Sequence, residues 1–100
     1  MFINVGKEYG ENLCTMEKGR ELYEVLKSCF EKEDQITLDF SDTKLITSHF
    51  FNASISCLIK DYDIKTIQKK LDVMNIPDYA KQLLNISIGN AIEFYKKNKN

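Results

Sequence analysis

The residues best placed to do chemistry lie in one stretch, Leu38–Asp61, which reads LDFSDTKLITSHFFNASISCLIKD. It holds the hydroxyls of Ser41, Thr47 and Ser48, the only histidine of the chain, His49, and Cys57, one of three cysteines. Three chemistries start from such residues: a serine or cysteine nucleophile activated by histidine, a metal centre, or a hydroxyl that accepts a phosphoryl group. A Ser48–His49 nucleophile requires the two side chains to face each other, and adjacent side chains on a helix point about 100° apart. Cys57 lies two helical turns beyond His49, about 12 Å along a helix axis, too far for a thiolate–imidazole pair. With one histidine and no CxxC, a histidine- or cysteine-based metal site is not expected. No metal and no cofactor is called for. The glycines at 6, 10, 19 and 89 are too scattered to cradle a phosphate. The expectation is a non-enzyme, with Ser48 left as a candidate phosphoacceptor or helix cap.

The elements that must hold this stretch follow from periodicity. Phe2, Ile3 and Val5 form a short strand ended by Gly6, and Lys7–Leu13 reads as a second, bent at Gly10. Thr15 is a helix cap with Glu17 in the first turn. From there Leu22, Val25, Leu26, Cys29 and Phe30 keep the spacing of an amphipathic helix, weakened by Gly19. Gln35–Phe40 is a strand with Ile36, Leu38 and Phe40 on one face and Thr37 and Asp39 on the other. A polar turn and the pair Leu45–Ile46 lead to a second helix expected from His49 to Lys60, with Phe50 and Phe51 in the core. A connector over Ile64–Lys70 precedes a strand at Leu71–Ile76. Pro77 and Asp78 then open a final helix running towards Lys97. Leu84, Ile88, Ala91 and Tyr95 line its buried face, widened by Tyr79, Leu83 and Ile86. Gly89 marks a kink or a close contact.

Alternating strands and helices within 100 residues predict one α/β domain spanning residues 1–100. About four strands form a mostly parallel or mixed sheet, with three to four helices covering at least one face. A net charge of −1 gives no field to draw nucleic acid or an anionic membrane, and no window is apolar enough to span a bilayer. The lysines at 96, 97 and 99 read as a solvated, frayed helix end. Cys14, Cys29 and Cys57, odd in number and far apart, point to reduced thiols and a cytoplasmic protein. Cys29 and Cys57 are expected as small core residues.

One resemblance is more specific than these patterns. Leu38-Asp39-Phe40-Ser41, the pair Leu45-Ile46, and Ser48-His49-Phe50-Phe51-Asn52-Ala53-Ser54-Ile55 resemble the central block of the STAS-like family of small bacterial proteins. That family is itself similar to the STAS domains of anti-sigma-factor antagonists. Ser56 stands where the family usually carries glycine, and the likeness in order of elements extends over nearly the whole chain. In antagonist STAS domains a serine within D-S-[ST]-G, at a helix N-terminus, is phosphorylated by a GHKL-type kinase. Aligned on the strand and hydrophobic pair, that serine falls on Ser48, with Thr47, His49 and Phe50 replacing its neighbours. The resemblance implies a regulatory module that docks on a protein partner such as a GHKL-type ATPase or kinase. Asp39, Ser41, Thr47, Ser48, His49 and Asn52 are the candidate contact residues. For Ser48 a cap is the simpler reading, since its hydroxyl could accept from an N–H two or three residues on. Asn52 is expected to bond across to the SDTK turn or to face the partner. The alternative function is a small-molecule or nucleotide sensor at the C-terminal ends of the strands, where open α/β sheets bind ligands.

Overall fold

The computed structural model describes residues 1–97. Lys99, part of the expected frayed lysine end, lies outside them. Along the chain run β1 (Phe2–Asn4), α1 (Val5–Tyr9), β2 (Asn12–Leu13), α2 (Met16–Cys29), β3 (Ile36–Asp39), β4 (Leu45–Ile46), α3 (Ser48–Ala53), a 3₁₀ helix (Ile55–Lys60), α4 (Ile64–Lys70), β5 (Leu71–Met74) and α5 (Asp78–Lys97). The expected single sheet is divided in two. A three-stranded sheet has the order β1-β3-β5, and a two-stranded one pairs β2 with β4. Every described pair is parallel. Parallel pairing demands crossovers, which α2 supplies between β1 and β3 and α3–α4 between β3 and β5.

Division of the sheet begins at Asn4. Its side chain accepts from the Lys7 backbone N–H at 3.0 Å and so caps α1. Lys7–Tyr9, expected within a strand, is therefore helical, and only Asn12 and Leu13 remain extended. Gly10 makes the exit with φ of 100°, the left-handed side that suits glycine.

In the larger sheet Ile3, Leu38 and Val73 lie in register, and Ile36 faces Leu71. These side chains point to the core. Alternation sends Phe2, Thr37 and Asp72 to the other side, where Phe2 is 60% exposed. The helices thus cover one face. Ile36, Leu38 and Phe40 share the buried side as the alternation predicts.

Helix α2 follows its periodicity: Thr15 caps it by accepting from the Lys18 N–H at 3.2 Å, and Leu22, Leu26 and Phe30 are fully buried. Tyr23 ties its inner side to the end of the 3₁₀ helix, donating to Asp61 at 2.6 Å. Burial, then the adjacent carboxylate, push the tyrosine pKa up. Cys29 and Cys57 are half-buried against the core, and burial also raises the Cys57 thiol pKa.

The helix expected from His49 to Lys60 is instead two helices broken at Ser54. The buried Ser54 hydroxyl donates to the Phe50 carbonyl at 2.7 Å, the acceptor that an unbroken helix reserves for the Ser54 N–H. That N–H turns to Phe51, one residue nearer, at 3.2 Å, and the chain tightens into 3₁₀ geometry. Back-bonding of serine to the carbonyl four residues earlier is a known cause of helix bending.

Helix α5 runs unbroken across Gly89, where an added Cβ would meet nothing within 4 Å. The glycine is neither a kink nor a close contact. Among the described residues of α5, Ala80, Leu84 and Ser87 are buried, whereas Tyr79 and Ile86, expected to widen that face, are 44% and 61% exposed.

Candidate functional site

Between β3 and α3 the chain makes the SDTK turn and then extends along β2. Asn12 and Leu13 pair with Leu45 and Ile46, and the Thr47 N–H donates to the Leu13 carbonyl at 3.0 Å. This pairing carries extended backbone as far as Thr47 (φ −115°, ψ 165°), which makes Thr47 the N-cap residue and Ser48 the first helical one. The expectation that Ser48 caps the helix is thereby corrected. A capping hydroxyl needs extended backbone at its own residue, and Ser48 has already turned into the helix. Thr47 does not cap through its side chain either; its Oγ1 is buried without a hydrogen-bond partner among the described residues.

Ser48 is half-buried, and its hydroxyl has no hydrogen-bond partner among the described residues. Beside it His49 is exposed, while Phe50 and Phe51 turn fully inward as expected. Leu45 is 49% exposed because its neighbour Ile46 points into the core. Tyr79 fastens this edge from α5: its hydroxyl accepts from the Ile46 N–H at 3.1 Å.

Asp39 and Ser41 do not join this group. Asp39 ends the central strand and holds three donors: the Asn75 side chain at 3.0 Å, the Ser41 N–H at 3.0 Å and the Ser41 hydroxyl at 3.1 Å. Asn75 reaches it from the end of β5 through left-handed backbone, φ 57°, which asparagine tolerates better than most residues. Across the same strand ends, Asn4 donates to Asp42 at 2.7 Å. The Asn75 hydrogen bond first, then those of Ser41, hold the Asp39 pKa below its ordinary 3.8. A depressed carboxylate adds stability that is complete above its unfolded pKa and is lost as pH falls through the folded one. Stability is accordingly expected to decline on the acid side of about pH 4, with Asn75→Ala flattening that decline by raising the Asp39 pKa towards normal. Urea titrations of both proteins from about pH 6 to pH 2 measure it, and parallel curves count against the assignment.

Asn52 turns neither to the SDTK turn nor wholly to solvent. Its Oδ1 accepts from the Ser87 hydroxyl of α5, and Ser87 in turn bonds Ser56 at 2.6 Å. Ser56 and Ser87 are both buried, so Ser56 is built into the contact between the 3₁₀ helix and α5. An open cleft of about 220 Å³ lies over this chain of hydroxyls, lined also by Asn90, Phe94 and Tyr95.

Of the six residues predicted to contact a partner, Ser48, His49 and Asn52 lie on α3 with Thr47 at its N-cap, its hydroxyl buried, while Asp39 and Ser41 brace the strand ends. Leu45 was not singled out in the sequence, because alternation over a two-residue strand sends one of Leu45 and Ile46 outward without saying which. Asn75, Tyr79 and Ser87 carried no signal of these contacts, because each acts on a segment more than thirty residues away. Among the described residues no three His, Cys, Asp or Glu side chains gather as a metal site, and no helix is long and apolar enough to cross a membrane.

Nothing among curated proteins or solved structures matches the chain. A family model does match, over residues 18–81, from the first turn of α2 through the whole Ser48 turn to the start of α5. That match is narrower than the resemblance read from the sequence, leaving out β1, α1, β2 and most of α5. It covers well over half of the residues, and the chain belongs to the family described as the STAS-like domain of unknown function (DUF4325).

Proposed function

We propose that this domain is a non-catalytic regulatory module that docks on a protein partner, such as a GHKL-type ATPase or kinase, through the Ser48 turn and the outer face of α3. The observation that carries the reading is the surface made by exposed Leu45, exposed His49 and the unengaged hydroxyl of Ser48. An apolar anchor beside polar groups is the composition of a protein contact, and Phe50 and Phe51 fix it from beneath. No base contacts the Ser48 hydroxyl among the described residues, which supports recognition or modification over nucleophilic catalysis. Phosphorylation at this turn adds about −1.5 to −2 charges to the surface it presents. The sensor alternative has less support, since Asn4, Asp39, Ser41, Asp42 and Asn75 at the strand ends bond one another.

Binding to a purified GHKL-type ATPase from the same cell tests the reading by calorimetry. Ser48→Ala is expected to bind within about twofold of the natural chain, since the hydroxyl caps nothing. Ser48→Asp is expected to lose roughly tenfold, equivalent to about 1.4 kcal/mol. Equal loss in both variants removes the switch, and no binding by the natural chain removes the partner.

A further inference from the structure

Strand β5 ends the larger sheet, since the order β1-β3-β5 gives it a neighbour on one side only. The Phe40 N–H donates to the Met74 carbonyl at 3.1 Å. Backbone groups alternate along a strand, so Asp72 and Met74 turn theirs to β3, and Leu71 and Val73 turn theirs to the open edge. The Leu71 N–H is taken by the Ile67 carbonyl of α4. Left on the edge are the Leu71 carbonyl and both backbone groups of Val73, which meet no other strand among the described residues.

A short free edge is common in sheets. Here the core beside it is open as well. A cleft of about 360 Å³ runs inward from β5 between α4 and α5, walled by Ile64, Ile67, Leu71, Val73, Leu84 and Ile88. No charged side chain lines it, and Ile64, Leu71, Val73 and Ile88 are only half-buried. Unpaired strand groups and an incompletely covered apolar core thus lie side by side.

We propose that this edge takes an extended segment of a partner protein as a fourth strand, with aliphatic side chains at alternate positions seated in the cleft. The free backbone groups select extended chain, because a helix spends its own N–H and C=O groups internally. The cleft selects the aliphatic residues, since the inward side chains of an added strand fall beside Leu71 and Val73. The residues between them point outward, one of them level with Asp72. That carboxylate is exposed and belongs to none of the described ion pairs, so a lysine or arginine beside it is the complementary charge. A second copy of this chain does not supply these features. Its β5 has four extended residues, held between α4 and the left-handed Asn75. The charge it brings is a further Asp72, and its Leu71 and Val73 already line its own cleft. The edge shares no residue with the Ser48 surface, so it stands whether or not that surface binds a partner.

Fluorescence anisotropy tests the inference, with a labelled, blocked peptide of the order valine-lysine-valine-threonine-valine titrated with the full chain. Saturable binding is expected below roughly millimolar protein. Two further peptides carry N-methyl groups, one on the valines and one on the residues between them. Only one of these sets of N–H groups can face β5, so one peptide is expected to lose roughly tenfold in affinity while the other keeps it. Asp72→Lys is expected to reverse the preference for the lysine peptide over the same peptide with glutamate in its place. Absence of saturable binding overturns the proposal, as do N-methyl peptides that keep or lose affinity together. An Asp72→Lys chain that ranks the two charged peptides as the natural chain does also overturns it. Self-association of the natural chain that the peptide reverses, read by sedimentation equilibrium, assigns the edge to a second copy and equally overturns it.

Discussion

Replacing Phe51 with alanine is expected to cost about 3–5 kcal/mol of stability, the usual range for emptying a buried phenylalanine site. The ring is fully buried and sits between two others, tilted against Phe40 at 6.1 Å between centroids and edge-on to Phe50 at 5.8 Å. Phe40 follows the central strand and Phe50 lies on α3, so the Phe51 ring joins the sheet to the helix that carries Ser48. Domains of this size are stable by about 5–15 kcal/mol, so the substitution removes a large share of the total. At roughly 4–8 °C per kcal/mol, the melting temperature is expected to fall by about 12–40 °C. Circular dichroism melts measure it. A loss below about 1 kcal/mol contradicts the placement of this ring in the core. The same variant is expected to lose partner binding under conditions where it remains folded, because α3 is positioned by this contact.

Gly19→Ala and Gly89→Ala are expected to act in opposite directions. Helix propensity alone favours alanine at both positions by about 1 kcal/mol. At Gly19 that gain is outweighed. A Cβ there would stand 2.5 Å from the Phe50 carbonyl oxygen and 2.8 Å from the Ala53 Cβ, so α2 and α3 would have to separate. A backbone carbonyl held in a helix cannot swing aside as a long side chain can. Overpacking of this kind costs typically 1–3 kcal/mol, leaving a net loss of up to about 2 kcal/mol and a melting temperature lower by up to roughly 15 °C. At Gly89 the added methyl meets nothing, and the full propensity gain of up to about 1 kcal/mol is expected as stabilisation. Chemical denaturation of the two variants beside the natural protein separates the effects. Shifts of the same sign contradict the close approach of α2 to α3.

Gly19 also shows the limit of reading one element at a time. In sequence it is a weak point of an amphipathic helix; in the fold it is the place where a second helix passes. Ile86 teaches the same from the opposite side. It fits the apolar periodicity of α5 well enough to be predicted as buried, yet the buried arc is narrower and leaves it outside. Periodicity tells how side chains are arranged around one helix, while the number of them that are covered depends on what packs there.

Ser48 and Asn52 make the point for the site itself. The motif identified both as neighbours on one helix turn, and the structure keeps them there. Whether Ser48 caps depended on how far β4 stays paired with β2, which fixes the last extended residue at Thr47. The partner of Asn52 depended on Ser87, thirty-five positions further on.

The sequence by itself determined what rests on interactions within a few residues. These are the α/β class, the Thr15 cap, the apolar face of α2, the alternation of β3, the inward turn of Phe50 and Phe51, and the family motif around Ser48. Tertiary structure alone decided the division into two parallel sheets, the narrow buried arc of α5 and the hydroxyl chain from Asn52 to Ser56. The break at Ser54 stands between the two, since a serine can take the carbonyl four residues back in any helix, but burial leaves this one no water as an alternative partner. Local spacing fixes the preference of each element, whereas pairing, exposure and hydrogen-bond choice are set by segments that meet only when the chain is folded.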